Sequence, residues 1–315
     1  MSSTLDKLGT RAGRAAVAVE WPTLLLLLLT FAAWLALTAL VPRAGSPWLV
    51  ALLAVLLTFH SSLQHELVHG HPTRWRQVNR ALGMVPLAFW LPFERYRQTH
   101  LVHHVNERLT DPLDDPESRY YTPETLAAMS PAARFMARAQ ATFVGWIVIG
   151  SFWRVGLFLA SEARAAWRGE RGLRAIWAEH LLWCLPVAAW LVAVGFPLWL
   201  YAVAVIVPSN GLLLVRSYCE HRATSAVDGR TAIVEHCWFF GPLFLNNNLH
   251  ALHHEDPSLP WYRYHERYRE RREALIEANG GLVYRSYFEI ARRYFVRPHD
   301  ALQHPFGRAP LSRRA

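Results

Sequence analysis

Three segments of this chain concentrate residues able to do chemistry: His65-Glu66-Leu67-Val68-His69, His100-Leu101-Val102-His103-His104 and His250-Ala251-Leu252-His253-His254. In a helix, side chains three and four positions apart share a face, about one turn from each other. Each box therefore aims two or three imidazoles at a common point. Neutral imidazole is the commonest nitrogen ligand of transition metals. Eight histidines exceed the need of one mononuclear site, so the spacing implies two metal ions. A lone H-x3-H pair is often only a polar patch on a helix; three boxes in one chain do not reduce to that.

Two other chemistries compete. His65 to His69 spells H-E-x-x-H, the zinc metalloprotease signature with Glu66 as general base. Such a site wants two histidines, one further ligand and an open water position, and would leave six of the eight histidines idle. A histidine-rich metal transporter is the non-enzyme alternative, but transport sites usually lie at mid-membrane, whereas these boxes fall at the ends of apolar runs.

Those apolar runs are the elements that must position the boxes. Of 315 residues 52% are hydrophobic, and they gather into long stretches, the signature of membrane spans. Residues 21–41 carry no charge and include six leucines in a row. Trp21 suits an interface and Pro22 a first helical turn. Residues 42–47 read as a tight turn, and 48–68 as a second helix whose inner end carries the first box. Residues 181–196 and 197–215 repeat the device, with Pro208 and Gly211 allowing a bend. Residues 81–93, broken by Pro86 and Pro92, are too short to span and read as re-entrant or interfacial. That fold-back would bring the second box, on a helix over 95–106, to the first.

Residues 142–160 are apolar but contain Arg154, which at a bilayer centre would cost about 2.5–3.5 kcal/mol on insertion scales. They are expected to lie on the membrane as an amphipathic element. The acidic, proline-punctuated loop over 109–116 could orient ligands, although solvated turn chemistry is the simpler expectation. Residues 1–20 are read as an uncleaved cytoplasmic tail, and the last ten as frayed.

Charge agrees with this topology. The net charge of +9 comes almost wholly from arginine, Lys7 being the only lysine, and the two outer turns hold only Arg43. By the positive-inside rule both termini and all three boxes are cytoplasmic, in a multi-pass protein expected in a bacterial inner membrane. Such basicity is what a cytoplasmic membrane face collects, and nucleic acid is not expected as a partner. Cys184, Cys219 and Cys237 are scattered, which excludes a four-thiolate iron–sulfur cluster and suggests no disulfide framework.

The expected fold is thus an all-α integral membrane protein. Four transmembrane helices (about 21–41, 48–68, 178–196 and 197–215) form two hairpins, under a cytoplasmic helical cap (69–177 and 216–305) that holds a histidine-ligated dinuclear metal site, with a tail over 306–315. The whole chain is read as one domain. Zinc has no redox chemistry, whereas nitrogen-bound iron with open positions activates oxygen. The Glu and Glu-x-x-His pattern of carboxylate-bridged di-iron bundles is missing. A site so close to lipid suits a substrate with an alkyl chain.

The three boxes, in that order around two hairpins, resemble those of the membrane fatty acid desaturase superfamily over roughly residues 20–265. The resemblance implies a non-haem di-iron oxidase that uses O2 and two electrons on a fatty acyl or similar chain. It implies a further ligand after the fourth helix, where Glu220-His221-Arg222 stands, making His221 the ninth with His65, His69, His100, His103, His104, His250, His253 and His254. No catalytic residue is expected beyond these ligands. Acyl-CoA desaturases carry an Asn four positions before that ninth ligand; here it is Ser217, which puts a water-mediated ligand in doubt. Asn246 stands four before His250, in the polar run Asn246-Asn247-Asn248, and Glu66, Ser217, Glu220 and Asn246 are expected to support the ligands. The superfamily also includes hydroxylases and ketolases of alkanes, carotenoids and sphingolipids; the spacing of the second box favours desaturation of an acyl lipid or acyl carrier.

No His-Pro-Gly-Gly motif of cytochrome b5 is present, so electrons are expected from an external donor, ferredoxin-like or cytochrome b5-like. An acidic one would suit the basic face of Arg74, Arg76, Arg95, Arg97 and residues 263–272. The remaining histidines are read as incidental: His60 as a structural hydrogen-bonder, His71 as pointing away from the first box, and His180, His236, His265, His299 and His304 as surface or interfacial.

Overall fold

The structure is a computed structural model that describes residues 19–105, 109–224 and 229–305. Residues 1–18 of the expected N-terminal tail, the tail over 306–315, and the end of the second box's helix at 106 lie outside the described residues.

Four helical segments are long and apolar enough to cross a membrane: Trp21–Ala44, Pro47–Val68, Leu173–Ala193 and Leu198–Ser217. The first, α1 (Trp21–Ala44), ends at Gly45, whose φ of +60° lets its N–H bond back to the Val41 carbonyl. Pro47 then starts α2 (Pro47–Val68), and the two pack as a hairpin. The third span begins at Leu173, five residues before the position expected. Gly172 (φ +78°) starts it, and its polar first turns find partners: Glu179 pairs with Arg80 at 2.5 Å, and the buried His180 bonds the Phe89 carbonyl at 2.7 Å. The fourth span is one continuous path with a single π-helical turn, Ala202–Ile206, just before Pro208. A proline has no N–H to give, and such widened turns are a recognised way for a helix to absorb that loss.

Between the second and third spans come α3 (Arg76–Gly83) and α4 (Phe93–Val105), which carries the second box. Residues 84–92, which join them, are inserted into the bundle, as the re-entrant reading anticipates. Leu87 is buried with Trp34, Leu191, Phe196 and Tyr201, and its carbonyl accepts from the Tyr201 hydroxyl at 3.0 Å. Irregular backbone at membrane depth is tolerated where protein surrounds it, and that is its situation here.

The cap continues with α5 (Pro123–Ala128), α6 (Pro131–Gln140), α7 (Phe143–Val148) and α8 (Gly150–Trp167). Neither α7 nor α8 is among the membrane-capable helices. They pack against the inner part of the fourth span, where the Asn210 amide donates to the Ser151 carbonyl at 3.2 Å. Phe152 and Leu157 are exposed on α8, and Arg154 lies 4.2 Å over the Trp146 ring. Apolar side chains thus stand on the exposed surface of α8 beside an arginine held over an indole. After α9 (Leu173–Ala193), α10 (Leu198–Tyr201) and α11 (Val207–Ser217), a two-residue parallel pair, β1 (Ile233–Val234) with β2 (Val283–Tyr284), anchors the C-terminal part. Short helices α12 (Phe240–Leu243) and α13 (His250–Glu255) and the longer α14 (Tyr264–Ala278) and α15 (Tyr287–Tyr294) complete the cap. The Val234 N–H bonds the Asn248 carbonyl at 2.9 Å, so β1 fixes the entry to the third box.

Candidate metal centre

The end of the second span, the segment that follows the fourth, α4 and α13 bring nine imidazoles together in two groups. His65, His69, His100, His104 and His253 form one; His103, His221, His250 and His254 form the other. Within each group one nitrogen per ring lies within 4.8 Å of all the others. Helical geometry explains the partition. Every i,i+4 pair stays together (His65 with His69, His100 with His104, His250 with His254), since residues four apart are only about 40° round the helix. The extra histidines His103 and His253 sit on a different bearing and reach the other group.

The fit to metal ions can be tested on distances. Nε2 of His100 is 3.1 Å from Nε2 of His69 and of His104, and His104 Nε2 is 2.9 Å from that of His253. In the second group, His221 Nε2 is 3.0 Å from those of His103 and His250. Nitrogens at right angles about a shared ion, each roughly 2.1 Å from it, stand about 3 Å apart. His65 Nε2 and His254 Nε2 are buried and have no hydrogen-bond partner among the described residues. Convergence of bare nitrogens at this spacing is costly without a cation between them; two ions fit the donor set.

The opposite ring nitrogens are held from outside. His100 Nδ1 is 2.8 Å from Glu117, His103 Nδ1 is 2.9 Å from Asp115, His250 Nδ1 is 2.9 Å from the Asn247 side-chain oxygen, and His253 Nδ1 is 2.9 Å from the Tyr264 hydroxyl. An N–H spent on Glu117, Asp115 or Asn247 leaves the Nε2 lone pair facing inward, the tautomer a metal needs. Burial first, then the neighbouring imidazoles, holds His104, His250, His253 and His254 well below the ordinary histidine range, and burial does the same to His221. These rings are therefore neutral, the ligating form. At His103 burial acts in the same direction, but the Glu117 and Asp115 carboxylates outweigh it and raise the ring.

The acidic loop is thus not the solvated turn expected. Asp115 is buried and also accepts from the backbone N–H groups of Thr110 and Glu117, so the loop is built around its carboxylate. Sequence gives only a weak sign of this, an acid-rich loop directly after the second box; Tyr264 gives none. The four residues expected to support the ligands are placed variously. Glu220 is buried, pairs with Arg216 at 2.7 Å and lies 3.5 Å from His250 Nδ1. Glu66 accepts from the Trp261 N–H at 3.3 Å. Asn246 donates to the Trp261 carbonyl at 3.1 Å, so within the Asn run it is Asn247 that meets a ligand. Ser217 accepts from the Trp146 indole at 3.2 Å.

Three histidines expected at the surface are instead buried. His180 bonds a carbonyl of the re-entrant segment, as described; His299 joins Tyr284, Arg119 and Asp300; His304 lies 3.2 Å from Thr110. Local sequence could not show this, because each partner is far away in the chain. His236 and His265 are exposed as expected. His71 is buried and bonds Glu20 at 2.7 Å, away from both groups, and His60 is buried against Phe31. The zinc-protease alternative fails on geometry, since His65 and His69 share their group with imidazoles from both other boxes.

Residues 44–288 match the family model described as Fatty acid desaturase. With most of its length matched, and the histidine boxes inside the match, the chain belongs to the fatty acid desaturase family. Comparison with curated proteins gives no match.

Proposed function

We propose that the protein is an O2-dependent di-iron oxidoreductase that introduces a double bond into the fatty acyl chain of a lipid or acyl carrier. The observation that supports this reading above others is the paired five-plus-four imidazole arrangement inside a desaturase-family chain. Two non-haem irons held there would supply activation of O2 and removal of hydrogen from an unactivated C–H bond. The chain's own residues do the rest. Nine imidazoles would hold the ions, Asp115, Glu117, Asn247 and Tyr264 orient four of those rings, and burial limits solvent access. The histidine groups lie at the ends of membrane-capable helices, which suits a substrate whose alkyl chain partitions into lipid. The positive-inside bias supports a cytoplasmic position for these ends, in a protein of a bacterial inner membrane.

Electrons come from an external ferredoxin-like or cytochrome b5-like donor. The basic face expected to receive it is largely neutralised internally. Arg95 pairs with Glu162 and Glu170, Arg97 with Glu94, Arg267 with Glu270, Arg271 with Glu255, and Arg272 with Glu235. Steering by charge is therefore weak. Turnover with an acidic donor is expected to change less than about threefold between low and moderate salt, and a fall of tenfold or more would restore the charged dock.

Lipid profiling of a host expressing the chain, against a His103→Ala control, tests the main reading. New double bonds in acyl chains, lost in the control, are expected. Hydroxylated or ketolated lipids without unsaturation would move the assignment to the hydroxylase or ketolase branch. Unchanged lipids from an iron-loaded, reduced preparation would end it.

A further inference from the structure

A small, partly open cavity lies in the cap, lined among others by Arg119, Tyr121, Gln140, Trp146, Arg154 and Asp300. None of these is in the metal centre. Their polar groups fall into two sets. Arg119 is matched: it donates to Asp300 at 2.6 Å and to the Tyr218 carbonyl at 2.5 Å. Arg154 is not matched. No carboxylate pairs with it among the described residues, and its one partner is the Trp146 ring, 4.2 Å from the guanidinium carbon. A ring under the flat face leaves the in-plane N–H donors of the guanidinium unspent. Gln140, at 8% exposure, has no side-chain hydrogen bond among the described residues, and neither does the Tyr121 hydroxyl. Three polar groups that lack partners, one of them cationic, thus face a single space.

We propose that this cavity binds a phosphate oxoanion through Arg154, Gln140 and Tyr121, the source being the phosphodiester headgroup of a membrane lipid. The planar fork of arginine matches two oxygens of a phosphate, while the amide and hydroxyl can donate to a third. Arg119 shares the Asp300 carboxylate with Arg222, and Arg154 is the lining cation that no carboxylate pairs with among the described residues, which suits a phosphodiester anion. The lipid source follows from the placement of Arg154 on α8, where Phe152, Trp153 and Leu157 beside it are exposed. An apolar helix surface that carries one inward cation suits acyl chains on α8 with their headgroup in the cavity. The proposal is independent of the reaction assigned above, since no residue of the cavity is a metal ligand.

The full-length protein in detergent is titrated with phosphatidylglycerol, phosphatidylcholine or inorganic phosphate, and bound ligand is counted by native mass spectrometry. Phosphatidylglycerol, with an unopposed phosphodiester charge, should be retained over phosphatidylcholine. Arg154→Gln should lower its retention on the order of tenfold, as expected for one lost charge-assisted contact, with metal content unchanged. Should Arg154→Gln fold poorly, Gln140→Leu and Tyr121→Phe leave the charge in place and should each weaken retention severalfold. Arg154-dependent binding of inorganic phosphate alone would support the oxoanion site and overturn the lipid source. Equal retention by wild type and all three variants would overturn the site.

Discussion

Asp115 and Glu117 show at the level of single residues how little of a metal site resides in its ligands. Each carboxylate takes one imidazole N–H from the second box, and His103 and His100 present their other nitrogens to different groups. Replacing Asp115 by Ala removes the partner of His103 and also the acceptor around which the 109–117 loop is built. Loss of such a partner commonly costs 10–100-fold in metal affinity. Asp115→Ala is therefore expected to weaken binding at the four-histidine group by roughly that factor, read as metal retained during dialysis against a graded chelator. Glu117→Gln, which keeps an acceptor oxygen, should cost less, and equal loss in both would argue against the tautomer-holding role. The same logic separates the groups. His221→Ala and His69→Ala each remove a ligand from a different ion, so each should lower bound metal from two ions towards one, and loss of both ions in either variant would mean the two sites do not fill independently.

At the scale of elements, the bundle depends on the re-entrant segment that brings α4 back to α2. A buried hydroxyl helps hold it, beside the His180 bond to Phe89: Tyr201 accepts from the Trp34 indole at 2.8 Å and donates to the Leu87 carbonyl at 3.0 Å. Tyr201→Phe orphans both partners away from water, with an expected loss of about 1–3 kcal/mol, measured by thermal unfolding in detergent. A change below a few tenths of that would show that the Tyr201 hydroxyl does not hold the segment. Gly83, the last residue of α3, is tighter still. A Cβ there would stand 2.5 Å from the Phe93 ring, the first residue of α4, and Phe93 is itself buried. Gly83→Ala should therefore cost about 1–3 kcal/mol by overpacking and displace the second box, so that metal content falls together with stability.

For the whole molecule, nine imidazoles packed into two groups would tie bound metal ions to the fold. Six of the rings are buried and three half-buried, and nitrogens within a group approach one another to about 3 Å. Cations binding there contribute to folding because the unfolded chain offers no such convergence. Removing metal with a strong chelator should lower the unfolding temperature in detergent by several degrees, and readdition of ferrous ion should restore it. An unfolding temperature indifferent to metal would mean the cluster is assembled by the surrounding helices without help.

The eight histidines of the three boxes and the membrane-capable helices were legible in the chain because both follow from local rules, whereas His221 came only from the resemblance. Spacings of three and four residues put imidazoles on one helix face, and some twenty apolar residues make a span wherever they occur. Even the re-entrant segment was marked by its length and its prolines. Hidden from the sequence were the features that pair distant residues: His104 with His253 across 149 positions, His253 with Tyr264, and His299 with Tyr284 and Arg119. The division into five and four, the carboxylates behind the second box and the burial of three supposedly superficial histidines all belong to that class. Periodicity along a helix fixes the direction in which a side chain points, but only packing between helices decides what it meets there.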